Sequence, residues 1–432
     1  MARFNGLFGA IPQYLMMLWS QYWSAETLSR YVGKHLDATL VAALRIPFYR
    51  ERFDPRILRA QGLPSLPILP RSEIPQLAAS VRALHSDASL LASGLTSGST
   101  GNPVSFFYDA PHQASRFAAR ARYLRQNGWN PFRRSLWIVS TRMQSPDLLF
   151  TQRAQLFGIR FLSHLLDLEQ LADSLRAMDP AYLYSYPVNL DGLARIFEAR
   201  GQRLPSLRRI FSGSEVLEDS QRDRLQRVFG VGVSDNYGST EAFLAWQCPL
   251  GSYHVNAEHV IVEIVDADGQ PAAPGKLGRV LVTTLRNRLM PLVRYEIGDY
   301  AIASEGACRC GRTLPRIGAI AGREINLFTD TDGKHFTPWP LFQPLLAREW
   351  IKQDQIVQRG IGRFVVRYVG DRTLSREDEA EIQRHFETIL HSPAAIEFEH
   401  LERIPRAPSG KFMMAMNEMA DLIPRGSRSI VD

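Results

Sequence analysis

Thr96-Ser97-Gly98-Ser99-Thr100-Gly101-Asn102-Pro103 is the most informative short stretch of this 432-residue chain. Its glycines lack a Cβ and leave backbone N–H groups accessible, and its hydroxyls can donate to phosphate oxygens, so the loop is suited to cradling a polyphosphate. Read alone, the same composition equally describes a flexible turn. It lacks the Lys-Ser/Thr ending of the common P-loop, which disfavours an ordinary NTPase fold.

Around this loop, helical and strand signals alternate. A helical period runs over Ala25–Leu44, an arginine-rich helix follows Pro111, and Ser135–Ser140, Tyr182–Tyr186, Leu207–Ser212, Val260–Val265 and Arg279–Thr284 read as strands. The alternation predicts an α/β architecture of large sheets with flanking helices. Beyond Gly322 the pattern changes to strand (Phe364–Tyr368), helix (Ser375–Leu390) and strand (Ala395–Glu399), a small α+β domain. The Pro-rich stretch Pro64–Pro70 reads as a surface connection, and the basic segments Arg116–Arg134 and Arg203–Arg227 as solvated helix faces.

Composition bounds the function. At 45% hydrophobic residues the chain can bury a core for two or more domains, and its formal charge of +7 comes from dispersed basic residues, which suit anionic small ligands better than nucleic acid. Cys248, Cys308 and Cys310 are an odd set without a disulfide framework, so a reducing, cytoplasmic setting is expected. The apolar run Tyr14–Trp19 is flanked by Pro12, Gln13, Gln21 and Ser24 and is too short to span a membrane, and the aromatics of Tyr14–Tyr22 are expected to pack inside.

Four further segments follow the glycine-rich loop in order: Phe211-Ser212-Gly213-Ser214-Glu215, Tyr237-Gly238-Ser239-Thr240-Glu241, Arg294-Tyr295-Glu296-Ile297-Gly298-Asp299 and Pro408-Ser409-Gly410-Lys411. Together they resemble the adenylate-forming superfamily of acyl-CoA synthetases, from about Phe48 to Phe412. The segments Pro47–Phe53 and Cys308-Arg309-Cys310-Gly311-Arg312 are most similar to the phenylacetate–CoA ligase family and its biosynthetic relatives.

The resemblance implies an N-terminal adenylation domain over residues 1–322, a hinge over 323–326 and a mobile C-terminal lid over 327–432. It implies that Ser97, Gly98, Ser99, Thr100 and Gly101 close over the β- and γ-phosphates of ATP, and that Gly213, Ser214 and Glu215 line the adenine pocket beside Tyr237 and Gly238. Thr240 would then lie near the α-phosphate, Glu241 would hold Mg2+, a hard cation suited to carboxylate oxygen, and Asp299 would accept from the ribose hydroxyls with Arg323 as a further contact. Lys411 is expected to bring a mobile ammonium to the reacting oxygens. Glu324 and Ile325 stand where Asp-Asp or Asp-Lys often follows the Gly-Arg pair in the family, which leaves the pivot residue open. Trp137, Tyr184, Tyr186, Phe211 and Phe243 are candidate walls of an acid pocket, and aromatic walls suit an aryl acid.

Cys248, His254, Cys308 and Cys310 offer three sulfurs and one nitrogen, the composition of a closed structural Zn2+ site, although three reduced cysteines are also simply buried small hydrophobes. The implied activity is ATP-dependent activation of a small-molecule carboxylic acid, releasing pyrophosphate, with transfer to coenzyme A or the phosphopantetheine of an acyl carrier protein. Transfer to an amine or alcohol, and a scaffold that has lost catalysis, are the alternatives, and a homodimer is one option for assembly. A hydrolase is disfavoured by the lack of Gly-x-Ser-x-Gly and His-Glu-x-x-His.

Overall fold

The computed structural model describes residues 5–54, 62–85, 92–95, 104–139, 158–323, 327–333, 335–336, 338–348, 350–405 and 413–419. The chain divides into two compact units. One comprises Met1–Glu263, Val280–Ile297 and Ala303–Ile320, and the other Ile264–Arg279, Gly298–Ile302 and Ala321–Asp432.

In the first unit, the strands Ser135–Val139, Ile159–Ser163, Tyr182–Ser185, Arg209–Gly213 and Gly232–Gly238 pair in parallel. Ser135–Val139 is buried throughout, as a strand covered on both faces must be, which explains its continuous apolar run. The helices Leu168–Met178, Pro187–Ala199 and Asp219–Phe229 join their leucines to Leu136, Ile138, Leu183 and Ile210 in one core. Local signals fix their ends: Asp167 caps the first, and a Glu218–Gln221 capping box opens the third, which Gly230 closes in the left-handed region. Phe243–Gln247 and Tyr253–Val255 extend the sheet antiparallel, Tyr237 opposite Ala245 and Trp246 opposite His254.

The Asn5–Ser20 helix runs through Pro12 instead of breaking there. Its inner face packs on the Ala110–Gln126 helix, Gly9 facing Ala114. On its outer face Ile11, Leu15 and Trp19 recur every four residues, and Trp19 is 74% exposed, so the expectation that these aromatics pack inside fails for Trp19 and for Tyr22.

Two further expectations are corrected. The arginine-rich helix does not only show charge to solvent: Arg122 is fully buried, donating to both oxygens of buried Glu258 (2.6 and 3.0 Å), to Asn256 Oδ1 and to the Met17 carbonyl, while Ser20 Oγ also donates to Glu258. Likewise, Pro64–Pro70 is only partly a surface connection, since Pro64 and Pro67 are exposed but the stretch is tied into the core. Leu66 and Leu69 are buried, Arg294 Nη1 donates to the Pro64 and Leu66 carbonyls at 2.7 Å, and Leu69 exchanges backbone hydrogen bonds with Arg294 and Glu296.

The second unit holds the expected small α+β assembly. Ile351–Gly360 and Arg363–Gly370 form an antiparallel pair flanked in parallel by Ala415–Asn417 and Ala395–His400. The Arg376–Leu390 helix, opened by a Ser375–Asp378 capping box, buries Ile382, Phe386 and Leu390 against the sheet residues Phe364 and Val366. Among the described residues no helix is long and apolar enough to cross a membrane.

Removing one member of a buried ion pair strands the other. Glu258→Ala is therefore expected to lower stability by about 3–5 kcal/mol, read as a shift in the urea midpoint. The double replacement Arg122→Met/Glu258→Met is expected to cost less than the sum of the singles.

Candidate active site

The Arg209–Gly213 strand ends where Gly213 meets Asn236 of the neighbouring strand. A Cβ on Gly213 would sit 2.4 Å from Asn236 Nδ2 and would displace that amide, whose Nδ2 donates to the Ser212 carbonyl at 2.5 Å. Ser214 follows at φ 71°, a left-handed conformation that is costly for a residue with a side chain and is typically maintained where function needs it. Tyr237 is buried one strand away. These are the residues expected to line the adenine pocket, with Glu215 next in sequence.

The turn after Tyr237-Gly238 is tightened by Ser239, whose Oγ accepts from the Ala242 N–H. From outside the motif, Arg116 donates to the Thr240 carbonyl (2.8 Å) and the Ser239 carbonyl (3.1 Å), and Tyr108 Oη donates to the Thr240 carbonyl at 2.6 Å. Burial pushes the Tyr108 phenol well above its usual range, so it stays a proton donor. Reading Arg116 as part of a solvated helix face missed this role. Only a contact between residues 124 positions apart reveals it.

Glu241 is 2% exposed. Its Oε1 accepts from Tyr295 Oη at 3.2 Å and lies 3.6 Å from Arg71 Nη1, which also donates to Tyr295 Oη at 3.1 Å. A buried carboxylate with one oxygen so held, and no partner on Oε2 among the described residues, fits a hard cation such as Mg2+. In the second unit Asp299 and Arg323 form an ion pair at 3.5 Å, so these two expected nucleotide contacts stand together. The phosphate loop Ser97–Gly101, the hinge residues Glu324 and Ile325, and Lys411 lie outside the described residues.

Of the candidate acid-pocket aromatics, Trp137 and Tyr184 stack at 5.1 Å, while Phe211 and Phe243 both meet Tyr123, at 5.6 and 6.0 Å. Tyr186 packs against His164 instead. Phe211 has no exposed surface, and Trp137, Phe211 and Phe243 belong to one buried cluster with Trp246, Tyr184 packing against it. Tyr123 and Asn236, whose Nδ2 lies 3.5 Å from Tyr184 Oη, join this group although neither was singled out in the sequence.

The four thiol and imidazole residues do converge. Their ligand atoms all lie within 4.8 Å of one another, with Cys248 Sγ 3.9 Å from Cys308 Sγ and Cys310 Sγ 3.3 Å from His254 Nε2. Tetrahedral Zn2+ with ordinary bond lengths separates sulfurs by about 3.8 Å and sulfur from nitrogen by about 3.6 Å, so the donors fit the ion. Two tight turns bring them in: Gly251 N–H returns to the Cys248 carbonyl and Gly311 N–H to the Cys308 carbonyl. Between the ligands, Tyr253 Oη donates to buried Asp235, whose carboxyl burial pushes up to about 6, and the Asp235 N–H donates to Gln247 Oε1. The cluster is thereby joined to the Gly232–Gly238 strand, which carries Tyr237.

Known proteins share parts of this sequence and its fold. A family model described as "AMP-binding enzyme" matches residues 157–286, and one described as "CapK C-terminal domain" matches 331–418. Phenylacetate-coenzyme A ligase of Thermus thermophilus is 32% identical over 193 residues, which are 42% of this chain and 43% of that enzyme, so the match spans less than half of the relative. Protein CapK of Staphylococcus aureus is 22% identical over 75% of this chain and 74% of its own length. The fold is that of a 2-hydroxyisobutyryl-CoA ligase solved with an acyl-AMP in its postadenylation state, at a TM-score of 0.73, 19% identity, and coverage of 92% of this chain and 93% of that one. Residues 157–286 thus match the AMP-binding enzyme family, and the chain is similar to the phenylacetate-coenzyme A ligases over less than half of their length.

Proposed function

We propose that this protein activates a carboxylic acid, of the aryl class, with ATP and passes the acyl group to a thiol. The observation that carries this reading is the buried Glu241 carboxylate, held beside a backbone turn whose carbonyls are pinned by Arg116 and Tyr108. In the first step a carboxylate oxygen of the acid attacks the α-phosphorus of ATP. The bond to the bridging oxygen breaks, and its electron pair leaves with pyrophosphate. Mg2+ held by Glu241 would supply neutralising charge to the phosphates.

Gly213, Ser214, Glu215, Tyr237 and Gly238 hold the adenine, Thr240 the α-phosphate, and Ser97–Gly101 the departing phosphates. Asp299, with Arg323, receives the ribose hydroxyls, and Lys411 brings its ammonium to the reacting oxygens. Of the aromatic candidates, Trp137 and Tyr184, joined in one cluster with Phe211 and Phe243, support an apolar acid pocket, whereas Tyr186 stands apart against His164. In the second step the sulfur of coenzyme A, or of a carrier-protein phosphopantetheine, attacks the acyl carbon and AMP departs. A lid over 327–432, pivoting at 323–326, would exchange Lys411 for the acceptor between the steps.

Cys248, His254, Cys308 and Cys310 hold a structural Zn2+, since four protein ligands leave no position for water or substrate.

Incubated with ATP, Mg2+ and a panel of aryl and aliphatic acids, the protein is expected to release pyrophosphate in an acid-dependent manner. Lys411→Ala should reduce that release by about 10²–10³-fold, the usual cost of removing one transition-state charge partner. No release with any acid, despite ATP binding, would favour a scaffold. Elemental analysis is expected to find about one zinc per chain. Cys308→Ser should lose it and unfold at lower temperature.

A further inference from the structure

Arg71 lies outside every recognisable motif, yet the fold brings it to the most buried acidic group of the proposed nucleotide site. Its guanidinium stands 3.6 Å from Glu241 Oε1 and donates to Tyr295 Oη at 3.1 Å. Tyr295 is fully buried, and burial holds its phenol far above the usual range, so it is a fixed proton donor between the two ions. Arg71 itself keeps 20% of its side chain exposed, so unlike Glu241 it still faces open space.

The chain invests many contacts in delivering this one cation. Leu69 is bridged to the Tyr295 strand by backbone hydrogen bonds of 2.9 Å with Arg294 and Glu296, and the Arg294 side chain grips the Pro64 and Leu66 carbonyls at 2.7 Å. Arg294 adopts φ 48° to do so. On the other side Glu73 pairs with Arg52, which also reaches the Ile68 carbonyl. Arg71 is thus clamped at both flanks while its own head group points to the carboxylate.

We propose that Arg71 is a phosphate-binding residue on the leaving-group side of the reaction, a reading that rests on the adenylation assignment above. Before nucleotide arrives, its charge compensates buried Glu241. With Mg2+ bound, Glu241 would hold it, and the Arg71 guanidinium would be free to meet the β- and γ-phosphate oxygens, which its planar fork matches. As the bond from the α-phosphorus to the bridging oxygen breaks, the charge that pyrophosphate gains is met by Arg71.

The test is calorimetric binding of AMP, ATP with Mg2+, and pyrophosphate with Mg2+ to the wild-type chain and to Arg71→Met and Arg71→Lys. Losing a charge-assisted contact is expected to weaken ATP and pyrophosphate by on the order of ten- to a hundredfold in Arg71→Met while AMP is nearly unaffected. Lysine, which keeps the charge but not the fork, should restore part of the loss. An ATP-to-AMP affinity ratio unchanged in both variants would overturn the assignment and leave Arg71 only a structural counter-ion of Glu241. A wild-type chain that binds neither nucleotide would overturn the adenylation reading first, and this one with it.

Discussion

The first unit depends on one ion pair placed where water cannot reach it. Arg122 and Glu258 have no exposed side-chain surface, and each ion would be intolerable in that position without the other. Their satisfaction takes in the N-terminal helix through Met17 and Ser20 and the loop after the antiparallel strands through Asn256. The cation also sits over the Trp246 ring, whose other neighbour is the Arg312 guanidinium. Three distant parts of the chain can therefore occupy only the arrangement in which all these partners are present.

The candidate site follows the same logic on a smaller scale. The Tyr237–Glu241 segment contributes the groups that would face a nucleotide, but its geometry is imposed from elsewhere. Arg116 and Tyr108 hold its carbonyls, Tyr295 and Arg71 its carboxylate, and Asp235, two residues upstream, is fastened through Tyr253 to the thiol cluster. A short motif can be read as chemistry only because longer-range contacts hold it still.

Much of this was legible in the sequence, and the boundary has a physical cause. Period and punctuation act over a few residues, so the apolar strand Ser135–Val139, the capped helix Arg376–Leu390 and two of the four strands of the small C-terminal sheet were recognisable, while Ile351–Gly360 and Ala415–Asn417 were not. The four metal-ligand candidates were identifiable because cysteine is scarce here and its chemistry narrow. What local patterns could not reveal was which arginine turns inward. Arg122 and Arg125 share one helix, but only the former meets a carboxylate, 136 residues away. The same limit explains Pro64–Pro70, whose prolines signal a turn while its leucines are buried by a strand near residue 295. Trp19 was misread in the opposite direction, since hydrophobicity alone does not say which face of a helix finds a partner.

The Leu69–Tyr295 bridge also sets a timetable. Together with Tyr49 Oη on the Pro291 carbonyl, 242 residues away, and Ser20 on Glu258, 238 residues away, it ties the beginning of the first unit to its end. Loop closure over such separations comes before any reward from the contacts themselves, and chains dominated by such pairings fold slowly. On a ribosome the N-terminal helices emerge long before their partners. The Arg122 guanidinium must wait unpaired until Glu258 has left the exit tunnel, and the Pro64–Pro70 leucines until the residues around 295 have, the condition in which a nascent chain is most exposed to misassociation.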